Sequence, residues 1–125
     1  MFNHQLLTAY GTDEGNAITV NSKYTGTAEV GFDGTVPATT DNVEVDIAWL
    51  HANVHSLLLY SSQALTIKTN NSTTPIQTIA LAAGQAIVWG NDHPEANPVT
   101  ADVTKLFLSN DTANIATVKI RVLIA

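Results

Sequence analysis

His51 and His55 stand four residues apart. On a helix that spacing puts two imidazoles on one face, where they can hold a metal ion. On a strand they also share a face, but about 13 Å apart, too far for one ion. The interval His51-Ala52-Asn53 reads as a turn, and no Asp or Glu lies close in sequence to act as a third ligand. Two loop or sheet-surface histidines are the simpler reading. Asn91-Asp92-His93-Pro94-Glu95 gathers two carboxylates, an imidazole and an amide just after Trp89. Oxygen donors of that kind suit Ca²⁺ or a carbohydrate, yet the D-x-D-x-D-G spacing of a calcium loop is missing. A turn held by Asx and Pro residues accounts for the same cluster. Glu44 and Asp46 share a sheet face about 7 Å apart, a pair that a glycosidase could use. Such a site also needs a cleft and groups that grip a substrate. As surface acids they keep an exposed sheet from pairing with its neighbours. Asp13 and Glu14 add further acid.

Other chemistries lack their residues. No G-x-S-x-G is present, and Gly11, Gly15, Gly26, Gly31 and Gly34 fit neither a phosphate loop nor a dinucleotide fingerprint. The chain has no cysteine, which removes disulfides, thiolate metal sites and cysteine nucleophiles. No catalytic residue, cofactor or metal ion is expected, and the chain is not expected to be an enzyme. A net charge of −6 with only five Lys plus Arg argues against binding nucleic acid through its phosphates. The same acidity would be repelled by an anionic membrane surface. The first fifteen residues hold no Lys or Arg and no apolar run longer than Leu6-Leu7, unlike a secretory signal. Synthesis in a cytosol is therefore expected. Asn70-Asn71-Ser72, Asn71-Ser72-Thr73 and Asn110-Asp111-Thr112 match the glycosylation sequon, but in that setting read as Thr/Asn-rich turns.

The elements that would position these residues are strands, because the dominant period is two. Val118, Ile120, Val122 and Ile124 alternate with Thr117, Lys119, Arg121 and Leu123. Val43, Val45, Ile47 and Trp49 alternate with Glu44, Asp46 and Ala48. The unbroken Leu57-Leu58-Leu59 within residues 54–60 suggests a central strand covered on both sides. Residues 65–69, 76–82, 85–89 and 103–108 supply further strands. Residues 17–20 and 24–30 read as a hairpin turning at Asn21-Ser22-Lys23. Breakers fall at residues 31–34, 36–37, 70–75, 90–98 and 109–114. About nine short strands at this spacing predict an antiparallel β-sandwich, jelly-roll-like, with a loop-rich N-terminal region. One domain is expected over residues 1–125, with 1–15 as a candidate N-terminal arm.

Trp49 and Trp89 each end a predicted strand. Exposed, they could stack on sugars; the core reading is favoured because Trp is usually largely buried. Phe2, Tyr10 and Tyr24 lie in the weaker N-terminal region, where aromatics that cannot be buried locally suggest docking to a partner. Only 13% of residues are charged, which permits broad contacts without the desolvation cost of unpaired ions. Leu57-Leu58-Leu59-Tyr60, Leu65-Thr66-Ile67-Lys68-Thr69-Asn70, Ile79-Ala80-Leu81-Ala82-Ala83-Gly84-Gln85, Trp89, Leu106-Phe107-Leu108 and Val118-Lys119-Ile120-Arg121-Val122 follow in order. In strand rhythm and composition, residues 54–125 resemble the small structural proteins of tailed bacteriophages. In particular they are similar to the decoration, or cement, proteins that bind the outside of the head. The resemblance implies a sandwich that forms symmetric homo-oligomers, trimers above all, on the major capsid protein. It implies stabilisation of the capsid without catalysis, in a virion made in the host cytoplasm. A tail, baseplate or head-fibre component would share these features. A carbohydrate-binding module would instead line up Trp49, Trp89 or Tyr60 on the surface beside residues 92–95.

Overall fold

The computed structural model describes residues 1–11, 15 and 17–125. Among these, the strands are β1 (Phe2–Gly11), β2 (Ala17–Gly26), β3 (Ala28–Val36), β4 (Thr40–Val45), β5 (Val54–Ser61), β6 (Leu65–Thr69), β7 (Thr78–Leu81), β8 (Ala86–Gly90), β9 (Leu106–Asn110) and β10 (Ala116–Ile124). A single 3-10 turn, His51–Asn53, leads into β5. Two four-stranded antiparallel sheets have the orders β3-β10-β5-β8 and β4-β9-β6-β7. Counting β3 as the first of eight, one sheet reads first, eighth, third, sixth and the other second, seventh, fourth, fifth. That winding is a jelly roll. The antiparallel β-sandwich expected from the alternation is therefore present.

Alternation builds the core. Val118, Ile120 and Val122 of β10 face inward beside Leu57 and Leu59 of β5. Leu65 and Ile67 of β6 and Leu106 and Leu108 of β9 meet them from the other sheet. Each such side chain contributes roughly 1.5–3 kcal/mol on burial. The Leu57-Leu58-Leu59 run lies in a central strand, between β10 and β8.

Several boundaries differ from the sequence reading. The first hairpin does not turn at Asn21-Ser22-Lys23. Those residues lie within the unbroken β2, which pairs with β1 along its length. The N-terminal region is thus a two-stranded ribbon rather than a run of loops. Residues 31–34, read as a breaker, lie inside β3. The inward alternation of Val30 and Phe32 against Val122 and Ile120 carries the strand through its glycines. β4 stops at Val45, although Ile47 and Trp49 still enter the core. Trp49 is held by a lone bridge to Val103. Asp13 and Glu14 lie outside the described residues.

The turn after β9 depends on Asn110, which is fully buried. Its Nδ2 donates to the carbonyls of Val36 (3.2 Å), Pro37 (3.2 Å) and Asn114 (2.8 Å). Its Oδ1 accepts from Thr112 N at 3.0 Å and Thr112 Oγ1 at 2.7 Å. One amide thus joins the β9–β10 turn to the β3–β4 link. Asn110→Ala strands several buried polar groups and should lower stability by about 2–3 kcal/mol in urea unfolding. Beside it, the hydrogen bond that protonated Asp111 donates to Asp41, and the proximity of the Asp41 charge, raise the pKa of Asp111. A raised carboxyl favours the folded state at low pH, and that contribution is lost as pH rises through the folded value. Asp111→Asn should therefore raise the thermal midpoint at pH 7 and leave it nearly unchanged near pH 3.

Candidate functional site

The ribbon of β1 and β2 is in register from Phe2↔Gly26 to Gly11↔Ala17. Residues opposite each other share a face. One face carries Phe2, His4, Leu6, Thr8 and Tyr10 with Ile18, Val20, Ser22 and Tyr24. The other is mostly polar, with Asn3, Gln5, Asn21 and Lys23, though it includes an exposed Leu7. The apolar face divides into a fastened base and a free tip.

At the base, the buried Tyr24 donates its hydroxyl to Asp92 Oδ1 at 2.7 Å. Desolvation, then the bond to Asp92, raises its pKa. Gly90 provides the seat, because a Cβ there would run into the Tyr24 ring. Gly26 allows the chain to pass beneath the Ile124 carbonyl in the same way. Thr27 N then donates to that carbonyl at 2.9 Å. His55 Nδ1 donates to the Thr25 carbonyl at 2.6 Å. His4 lies between Glu29 Oε2 (2.9 Å from Nε2) and Ser56 Oγ (2.7 Å from Nδ1). A carboxylate only accepts, so in the neutral ring Nε2 carries the proton and Nδ1 accepts from the Ser56 hydroxyl.

Hydroxyl, imidazole and carboxylate in this order form the relay of a nucleophilic hydrolase. They border a cleft of about 370 Å³ between the ribbon and the sheet, lined also by Leu6, Leu58, Val88 and Arg121. However, Ser56 is buried, on a strand laddered on both sides. The ladders commit neighbouring N–H groups to the sheet instead of aiming a pair of them at a developing oxyanion. The trio is best placed to act as a clasp that ties β1 to β3 and β5.

At the tip, Tyr10 is 70% exposed, Ile18 67% and Val20 51%. A two-stranded ribbon is marginal by itself in water. The base is held by the sandwich, and the tip presents an apolar face to solvent. Of the three aromatics that the sequence singled out, Tyr10 stands on this tip. Phe2 is partly exposed at the base, and Tyr24 is occupied inside the chain.

Of the remaining candidates, His55, Trp89, Asp92, Glu44 and Asp46 have partners within the chain, whereas the buried His51 Nδ1 has none among the described residues. His51, His55, Trp89 and Asn97 border a second cavity, of about 480 Å³. Among the described residues, no three His, Asp or Glu side chains are grouped to hold a metal. In the residue 91–95 loop, Asp92 anchors Tyr24, and the Glu95 carbonyl accepts from Trp89 Nε1 at 2.8 Å. Glu44 and Asp46 both face Lys105, whose pKa is raised by its bond to Glu44. Trp49 is in the core, and Trp89 and Tyr60 are half-buried. The His4–Ser56–Glu29 clasp was invisible in sequence because its members are 52 and 25 residues from His4. The β1 signal was present as Phe2, Leu6 and Tyr10 at even positions, diluted by His4 and Thr8.

Fold and site together define a jelly-roll sandwich with a clasped ribbon and an apolar tip. No protein-family model, curated protein or solved structure matches the chain. If the clasp holds the ribbon, His4→Ala should speed amide hydrogen exchange in β1 and β2 at least tenfold. The global unfolding midpoint should move little.

Proposed function

We propose that this chain is a non-catalytic structural protein of a phage virion, seated on the outside of the head, where it stabilises the capsid. The observation that carries the reading is the ribbon tip, an apolar surface that none of the described residues covers. An exposed apolar patch of this kind marks a binding site. The jelly roll supports the reading, since viral capsid proteins use it repeatedly. Low charge supports it too, because few ions must be desolvated in a broad contact. The net charge of −6 would steer the protein to a basic patch on the major capsid protein.

The mechanism is adhesion. A contact of about 1,600 Å² suffices for specific binding. Repetition over a shell multiplies it through effective concentration. Assembly would take place in the host cytoplasm, with the protein as a homo-oligomer, a trimer being favoured. A tail, baseplate or head-fibre position would use the same surface, and labelling of purified particles separates these locations. The carbohydrate-binding reading loses support from a core Trp49 and from a Trp89 whose ring nitrogen is bonded within the chain.

The test is co-sedimentation with heads of the encoding phage. The protein should pellet saturably with heads. Tyr10→Ser combined with Ile18→Ser should weaken that binding about tenfold or more. A wild-type protein that stays in the supernatant would overturn the assignment.

A further inference from the structure

Among the described residues, two separate apolar surfaces lack a partner. One is the ribbon tip, with Tyr10, Ile18 and Val20. The other is the outer face of the β5–β8 pair. There Leu58 lies opposite Val88, and Tyr60 opposite Ala86. Val88 is 39% exposed, Ala86 is exposed, and Leu58 and Tyr60 are half-buried. The ribbon's own base covers only one end of this face, at Ser56 and Gly90, and Leu6 borders the cleft that follows.

We infer that the ribbon tip of one copy docks on the β5–β8 outer face of a second copy of this chain. Three observations select that occupant. First, the same ribbon face borders the same sheet face within the chain, where Leu6, Leu58 and Val88 line one cleft. Second, the ribbon is long enough to leave its own sandwich. A ten-residue strand extends about 33 Å, and from His4 to Gly11 about 23 Å of ribbon runs beyond its clasp. Third, the charges sort correctly. The described residues of the tip, 8–11 and 17–20, are uncharged, as are Leu58, Tyr60, Ala86 and Val88. The charged half of this outer face, with Asp33, Lys119 and Arg121, belongs to β3 and β10.

The tip and the face are different patches: a head-to-tail repeat of the junction closes in a ring, and a reciprocal exchange of tips closes in a two-fold dimer. Each copy gives a tip and receives one. The inference rests on reading the ribbon as a gripping arm: the arm grips a neighbouring copy, and the tip variant then loses phage heads through the lost avidity of the oligomer.

The test uses sedimentation equilibrium up to about 100 μM and two broken variants. The tip variant is Tyr10→Ser with Ile18→Ser. The face variant is Ala86→Lys with Val88→Lys. Wild type should be oligomeric and each variant monomeric. Their mixture should give a one-to-one dimer and nothing larger, since only one junction can form. The native protein has no cysteine, so a second measurement avoids dependence on those variants. Ile18→Cys mixed with Val88→Cys should cross-link between copies through a short bis-maleimide, with far less product when either is alone. A monomeric wild type, or mixtures that neither dimerise nor cross-link, overturns the inference. An oligomer that ignores phage heads sinks the capsid reading and leaves this one. A monomer that pellets with heads does the reverse.

Discussion

The structure hangs on β10. It is paired on one side with β3 and on the other with β5. Val118, Ile120 and Val122 are fully buried between the sheets. Its near-terminal carbonyl, at Ile124, also receives Thr27, the residue at which the ribbon joins the sandwich. Core formation and ribbon placement therefore share one strand. A loss of pairing at β10 would separate β3 from β5 and leave half of the hydrophobic interior facing water.

The ribbon shows how a few polar groups can direct an apolar surface. Its apolar face would collapse onto any available hydrophobic area if hydrophobicity alone decided its place. Tyr24 on Asp92 and His4 between Ser56 and Glu29 are directional, so they settle where the base lies. Gly90 and Gly26 make room for that approach. With the base fixed, the tip is held out instead of being folded in. Polar residues that looked in sequence like a ligand loop, Asp92 above all, act as fastenings for this arm.

Legibility in sequence followed contact range and pattern strength. The sandwich was readable because β6 and β10 keep clean apolar spacing and β5 carries an unbroken apolar run, and each places side chains in the core. β1 was not readable, because its apolar side chains contact water or a small part of a distant sheet, so no burial requirement enforces the pattern. Glycines misled at residues 31–34, where edge strand β3 tolerates them. The continued apolar alternation past Val45 predicted side-chain direction correctly but not the ladder, since Ile47 and Trp49 point inward from an irregular segment. The clasp joins three strands, a coincidence of tertiary packing that no local motif records.

The order in which the groups appear along the chain has a kinetic consequence. The ribbon precedes Ser56, Asp92 and Ile124, all of which hold it. During synthesis its apolar strands emerge before Ser56, Asp92 and Ile124 and wait for them. Pairing across such long sequence separations is slow. A nascent chain is thus exposed to premature sticking, and the finished fold, once β10 closes it, converts that hazard into a limb displayed at a set angle.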